Sequence, residues 1–146
     1  MIDRSEHAVL NHLIESCRDG ERGFRLAADL VKNPKLKELF TQMAAQRAAF
    51  AKELLPHAQR FGGNPPADST ALGALHRGWM ALEGKIIHED HVIVAEAEQG
   101  SGKTLDLYYS AVNGMLAPEV REVVERQFRE MKEMDARIPV REGLGQ

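Results

Sequence analysis

From Ser5 onward the apolar residues return every three or four positions. Leu10, Ile14, Cys17, Glu21, Phe24, Ala28 and Val31 form one such row, which predicts a helix over about 5–32 with Ser5 as its cap. Asn33-Pro34 ends it, because Pro34 lacks an N–H and disfavours helical conformation at Asn33. The same pair opens a second helix over about 34–61, with Asn33 as cap and Pro34 at the first helical position. Its inward row reads Leu36, Phe40, Met43, Arg47, Phe50, Leu54, His57 and Phe61, and Gly62-Gly63 stops it. "NPPADST" is a loop, and Ser69 or Thr70 caps a shorter helix over about 71–87. A further helix is predicted over about 89–113, with Val94, Glu98, Leu105, Tyr108 and Val112 on one face and Gly114 as its stop. Gly100 and Gly102 each cost about 1 kcal/mol inside it. Pro118 opens the last helix, over about 118–138; Pro139 ends it, and 139–146 are a tail. No stretch sustains period-two alternation, and there are no internal repeats. The pattern is all-α, with four long helices and one short one in a single domain over 1–146.

Composition adds boundaries rather than detail. Hydrophobic residues are 43% and charged residues 28%, the balance of a globular domain, and 146 residues suffice for one core. A formal net charge of −3 supplies no basic excess to neutralise phosphates, so no nucleic-acid partner is expected. Cys17 is the sole cysteine, which excludes an internal disulfide and suits a reducing cytoplasm. "MIDRSEHAVLNHL" carries acids and histidines where a signal peptide needs an apolar run, and no apolar run reaches the ~20 residues of a membrane span. The expectation is a cytoplasmic, soluble protein with no membrane partner.

"GSGKT" at 100–104 resembles the end of a phosphate loop. That loop requires G-x-x-x-x-G-K-[ST] between a buried strand and a helix. Ala97 stands where the first glycine belongs, no apolar strand ending in aspartate follows, and the helical row continues through the glycines. No nucleotide partner is expected.

Two connections are short, at Asn33 and at "NGMLAP", and each makes an antiparallel pair of helices. The middle connection is long and holds the short helix. A long helix covers ~40 Å at 1.5 Å per residue, and this crossover can span that length. The second and third long helices then run parallel, which is the up-down-down-up order of ferritin-like bundles. Counting outward from the turn at 33–34, Glu21 stands level with Gln46 and Arg47; counting from 116–117, Glu98 stands level with Asp135. Glu21, Gln46, Arg47, Glu98 and Asp135 thus fall in one layer.

Ferritin-like di-metal proteins place two single glutamates and two Glu-x-x-His motifs at that level. Here Gln46 takes a glutamate's place without a following histidine, and neither Glu130 nor Glu133 has a histidine three residues on. Arg47 adds a fixed positive charge that cannot leave by deprotonation and that pairs naturally with carboxylates. Two readings follow. In the first, Arg47 and the acids form a buried ion-pair layer without a cofactor. In the second, Glu21, Glu98 and Asp135 hold iron or manganese with Arg47 turned aside.

"LNHLIESCRDGERGFRLAAD", "LFTQMAAQRAAFAKELLPHAQRFGG", "LGALHRGWM" and "VERQFREMKEMDARI" resemble a family of uncharacterised bacterial proteins, classed as a domain of unknown function within the ferritin-like superfamily. The likeness covers nearly the whole chain and rests on its D-G-E-x-G-F, A-x-Q-R-x-x-F and H-R-G-W segments. It implies a four-helix bundle with a long crossover and assigns no activity. Against that family, Asp135 stands where histidine is commoner and Ser101 where an acid is usual, and both changes weaken any metal site.

Remaining candidates have simpler readings. His88 and His91 stand at i and i+3 and could hold a surface zinc or nickel ion, though they also read as a solvated helix start beside Glu89 and Asp90. Trp79 is expected to pack the crossover helix on the bundle and Arg77 to pair with an acid; a ligand site at His76, Arg77 and Trp79 is the alternative. Tyr108 reads as a core tyrosine with a bonded hydroxyl and Cys17 as a buried, inert thiol. No catalytic constellation emerges. The expectation is a non-enzymatic bundle that binds a partner or itself as a homo-oligomer; the alternative is a di-iron or manganese carboxylate protein that stores or oxidises metal.

Overall fold

A computed structural model describes residues 4–60 and 89–139. They form α1 (Arg4–Leu30), α2 (Pro34–Arg60), α3 (Asp90–Val112) and α4 (Pro118–Asp135), with no strand among the described residues. The short helix expected over 71–87 and the tail after 139 lie outside the described residues. No described helix is long and apolar enough to cross a membrane.

Helix ends follow their local chemistry. Asn33 Oδ1 accepts the N–H of Lys35 at 2.8 Å and of Leu36 at 3.4 Å, capping α2. Pro118 opens α4, with Ala117 at the cap. Arg121 donates to the carbonyls of Val112 and Gly114, which satisfies the end of α3 with a cation placed where the helix dipole favours one. Pro56 lies inside α2, but on its exposed face.

Two long-range carboxylates fix which ends meet. Asp90, in the first turn of α3, accepts the backbone N–H of Lys32 at 2.8 Å and of Asn33 at 2.9 Å, so α3 starts beside the α1–α2 turn. Glu6, near the start of α1, accepts the N–H of Ala117 at 2.7 Å, so the α3–α4 turn sits at the opposite end. α1 packs on α2 and α3, and α4 on α3 and, more sparsely, on α2.

The apolar interior forms two clusters. One gathers Phe24, Val31, Leu36, Phe40, Met43 and Ile93 near the α1–α2 turn. The other gathers Leu10, Ile14, Leu54, Tyr108, Val124 and Met131 toward the other end. Each buried side chain of this size contributes about 1.5–3 kcal/mol by leaving water.

α3 departs from the expected row. Val94 and Tyr108 are buried as predicted, but Glu98 is exposed and Leu105 and Val112 are only half-buried; Ala97, Gly100, Ser101 and Thr104 face inward instead. These small residues bring α3 close to α1, where Ser16 and Thr104 share a buried hydrogen bond of 2.8 Å. The helix runs unbroken through both glycines. A Cβ at Gly102 meets nothing within 4 Å. Gly102→Ala is therefore expected to raise the unfolding free energy by about 0.5–1 kcal/mol, read as a higher urea midpoint at unchanged slope.

Candidate functional site

Arg47 occupies the gap between the two apolar clusters. It follows Met43 and Ala44 of the first on α2 and precedes Phe50 and Ala51 of the second. It is 0% exposed. A free guanidinium buried this way would be prohibitively costly, so its partners are the content of the site.

One terminal nitrogen, Nη2, donates to Ser101 Oγ at 3.1 Å and to Asp135 Oδ1 at 3.2 Å. The other, Nη1, donates to Gln46 Oε1 at 3.3 Å. Ser101 in turn donates to Asp135 Oδ2, so the hydroxyl bridges cation and anion. Gln46 passes its own amide proton to the carbonyl of Glu130 on α4 at 3.2 Å. The guanidinium carbon Cζ lies 5.3 Å from the Phe24 ring centroid, over the ring, and Phe24 stacks on Phe40. Nε has no hydrogen-bond partner. Gly20 makes room on the α1 side: a Cβ there would sit 3.3 Å from Arg47 Cγ. Burial pushes the Asp135 carboxyl above its ordinary value, against the opposing pull of Arg47 and Ser101.

The structure therefore brings Gln46, Arg47 and Asp135 together and leaves Glu21 and Glu98 out. Glu21 is half-buried at the rim and pairs with Arg25 at 2.6 Å. The inward position it was expected to fill belongs to Gly20. Glu98 faces solvent because α3 turns Ala97 and Ser101 inward. Of the expected metal candidates only Asp135 reaches the layer. A divalent ion needs several converging carboxylates or imidazoles, and among the described residues no three of His, Cys, Asp or Glu converge. The described residues of this layer, with one carboxylate beside a fixed cation, do not fit a di-metal centre. His88 lies outside the described residues, and His91 is partly exposed beside Glu89, at 3.4 Å.

A second polar chain runs from the core to the surface. Gln127 on α4, fully buried, donates to Glu53 Oε1 at 2.8 Å and to the carbonyl of Phe50 at 3.3 Å. Its own carbonyl is left to accept the Tyr108 hydroxyl at 2.7 Å. The tyrosine oxygen is then the acceptor for the Cys17 thiol at 3.2 Å. Burial pushes both the Cys17 thiol and the Tyr108 phenol up, with Arg47 opposing it in each case. The thiol is held protonated, as expected of an inert cysteine. Tyr108→Phe strands the thiol and the Gln127 carbonyl together and is expected to cost about 1–3 kcal/mol in urea unfolding.

Residues 100–104 lie within α3, so their backbone N–H groups serve the helix and form no phosphate cradle. Thr104 bonds Ser16 and Ser101 bonds the ion pair, which accounts for two of the five residues.

Four helices crossed by a buried arginine layer define an all-α bundle with a polar centre. Residues 5–114 match the family described as a domain of unknown function (DUF2383), and the chain belongs to that family. No curated protein matches the chain.

Proposed function

We propose that this chain is a ferritin-like bundle in which an ion pair stands where di-metal relatives of that fold hold their ions, and that it works by binding, to itself or to a partner, without catalysis. The observation that carries this reading is the fully buried Arg47 guanidinium bonded to Asp135 and Ser101. The Asp90 and Glu6 contacts support an up-down-down-up order, since α2 and α3 both start near the α1–α2 turn. Such a layer fixes helix register more than it adds stability.

Metal analysis of protein purified without a histidine tag tests the reading. Iron and manganese are expected to be well below stoichiometric, and the chain is expected to sediment as a homo-oligomer. A stoichiometric ion would establish the metal-storing alternative in its place, and a strictly monomeric chain would remove self-association. Arg47→Glu removes the cation and adds a second carboxylate beside Asp135. It is expected to bind added Mn²⁺ in equilibrium dialysis where the parent does not; no gain would count against the idea of a displaced metal site.

A further inference from the structure

The edge between α2 and α4 is closed by polar groups. Arg60 pairs with Glu119, Glu53 with Arg126, and Gln42 accepts from Arg137 at 3.2 Å. As the contacts descend α2 from 60 to 42, they climb α4 from 119 to 126 and reach Arg137 in the turn just past its end, one antiparallel seam. Between them, Gln46 and Gln127 each donate to a backbone carbonyl of the opposite helix. The paired ions are open to water: Arg126 and Glu53 are 36% and 39% exposed, Arg60 and Glu119 50% and 62%. α4 buries only Val120, Val124, Gln127 and Met131. The α1–α2 contact, by contrast, is apolar, with stacked phenylalanines and buried alanines.

We infer that α4 is the opening element of the bundle: it lifts from α2 along this ionic seam while α1 and α2 stay folded, uncovering the Cys17–Tyr108 pair and the Arg47 layer. Local opening draws on the least apolar contact in a fold. Exposed ion pairs are weakened by salt, whereas buried apolar contacts are not held by charge. Ionic strength therefore acts on the exposed pairs of the seam and far less on the buried Arg47–Asp135 bond between the same helices, and Gln127 is the latch, since it joins Tyr108 to Glu53 across the seam.

Cys17 is the sole cysteine in the chain, so its reaction with a thiol reagent such as dithiobis(nitrobenzoate) reads the opening directly. Under native conditions the labelling rate is expected to rise on the order of fivefold between 50 mM and 1 M NaCl, the sum of several weak screened pairs. The urea midpoint is expected to fall only as far as that same fivefold change accounts for, and α4 amides should gain hydrogen exchange while α1 amides do not. Glu53→Gln keeps an acceptor for Gln127 but removes the charge; it should speed labelling at low salt and flatten the salt response. Arg60→Gln should act in the same direction. Arg25→Gln breaks an exposed pair on α1 and should leave labelling unchanged. A rate indifferent to salt, or α1 amides that gain exchange together with those of α4, overturns the inference.

Discussion

Arg47→Ala is expected to lower the unfolding free energy by about 3–5 kcal/mol. Three costs combine. The side chain is fully buried and the largest such residue among the described residues, so its removal leaves a cavity between two apolar clusters. Asp135 and Ser101 lose the donor that both share, and Gln46 Oε1 loses its own. Phe24 loses the cation over its ring. Arg47→Met refills most of the volume and should recover about half of the loss, because only the polar part is then missing. Urea unfolding followed by circular dichroism measures both. A loss under about 1 kcal/mol for Arg47→Ala would show that the layer contributes little to holding the helices together.

Asp135→Ala is expected to cost about 3 kcal/mol. It removes the carboxylate from a guanidinium that cannot neutralise itself. The figure sits at the low end because the Asp135 side chain keeps an 11% exposed edge through which water can reach the nitrogen. The double variant Arg47→Met with Asp135→Leu should lie close to the parent, since a buried pair replaced by apolar groups of similar volume is often neutral. That cycle separates the coupling from the cost of stranding one partner.

The pH dependence has a definite sign. The folded state holds the Asp135 proton more tightly than the unfolded chain does, where the ordinary value is 3.8. The stability this group contributes is thus fully present below that value and is lost as pH rises through the raised folded value. Asp135→Asn abolishes the loss. The difference in urea midpoint, parent minus Asp135→Asn, should therefore fall from about pH 4 to about pH 7. A difference that rises over that range would mean that the arginine outweighs burial and holds the carboxyl below its ordinary value.

Much of this architecture is legible in the sequence. Asn33-Pro34 and Ala117-Pro118 carry their own boundary chemistry, so the starts of α2 and α4 were readable. The buried rows of α1 and α2 follow a period that each helix shows by itself. Arg47 stood out as a charge within an apolar row. Gly20 carried a signal that the helical row, drawn through Glu21, passed over: a mid-helix glycine costs about 1 kcal/mol and calls for a reason, and here the reason is the arginine lying against it.

What the sequence determined by itself, then, was local: where helices begin and end, and that one cation would be enclosed. Only the tertiary structure decided which acid meets it. From Val94 the inward row of α3 can continue three residues on, through Ala97, or four on, through Glu98, and both suit a helix. The choice depends on how near α1 lies, and small side chains let it lie close. That rotation sends Glu98 to solvent and Ser101 to the arginine. The partner of a buried charge is set by the packing of three helices at once, and no single row of residues contains that information.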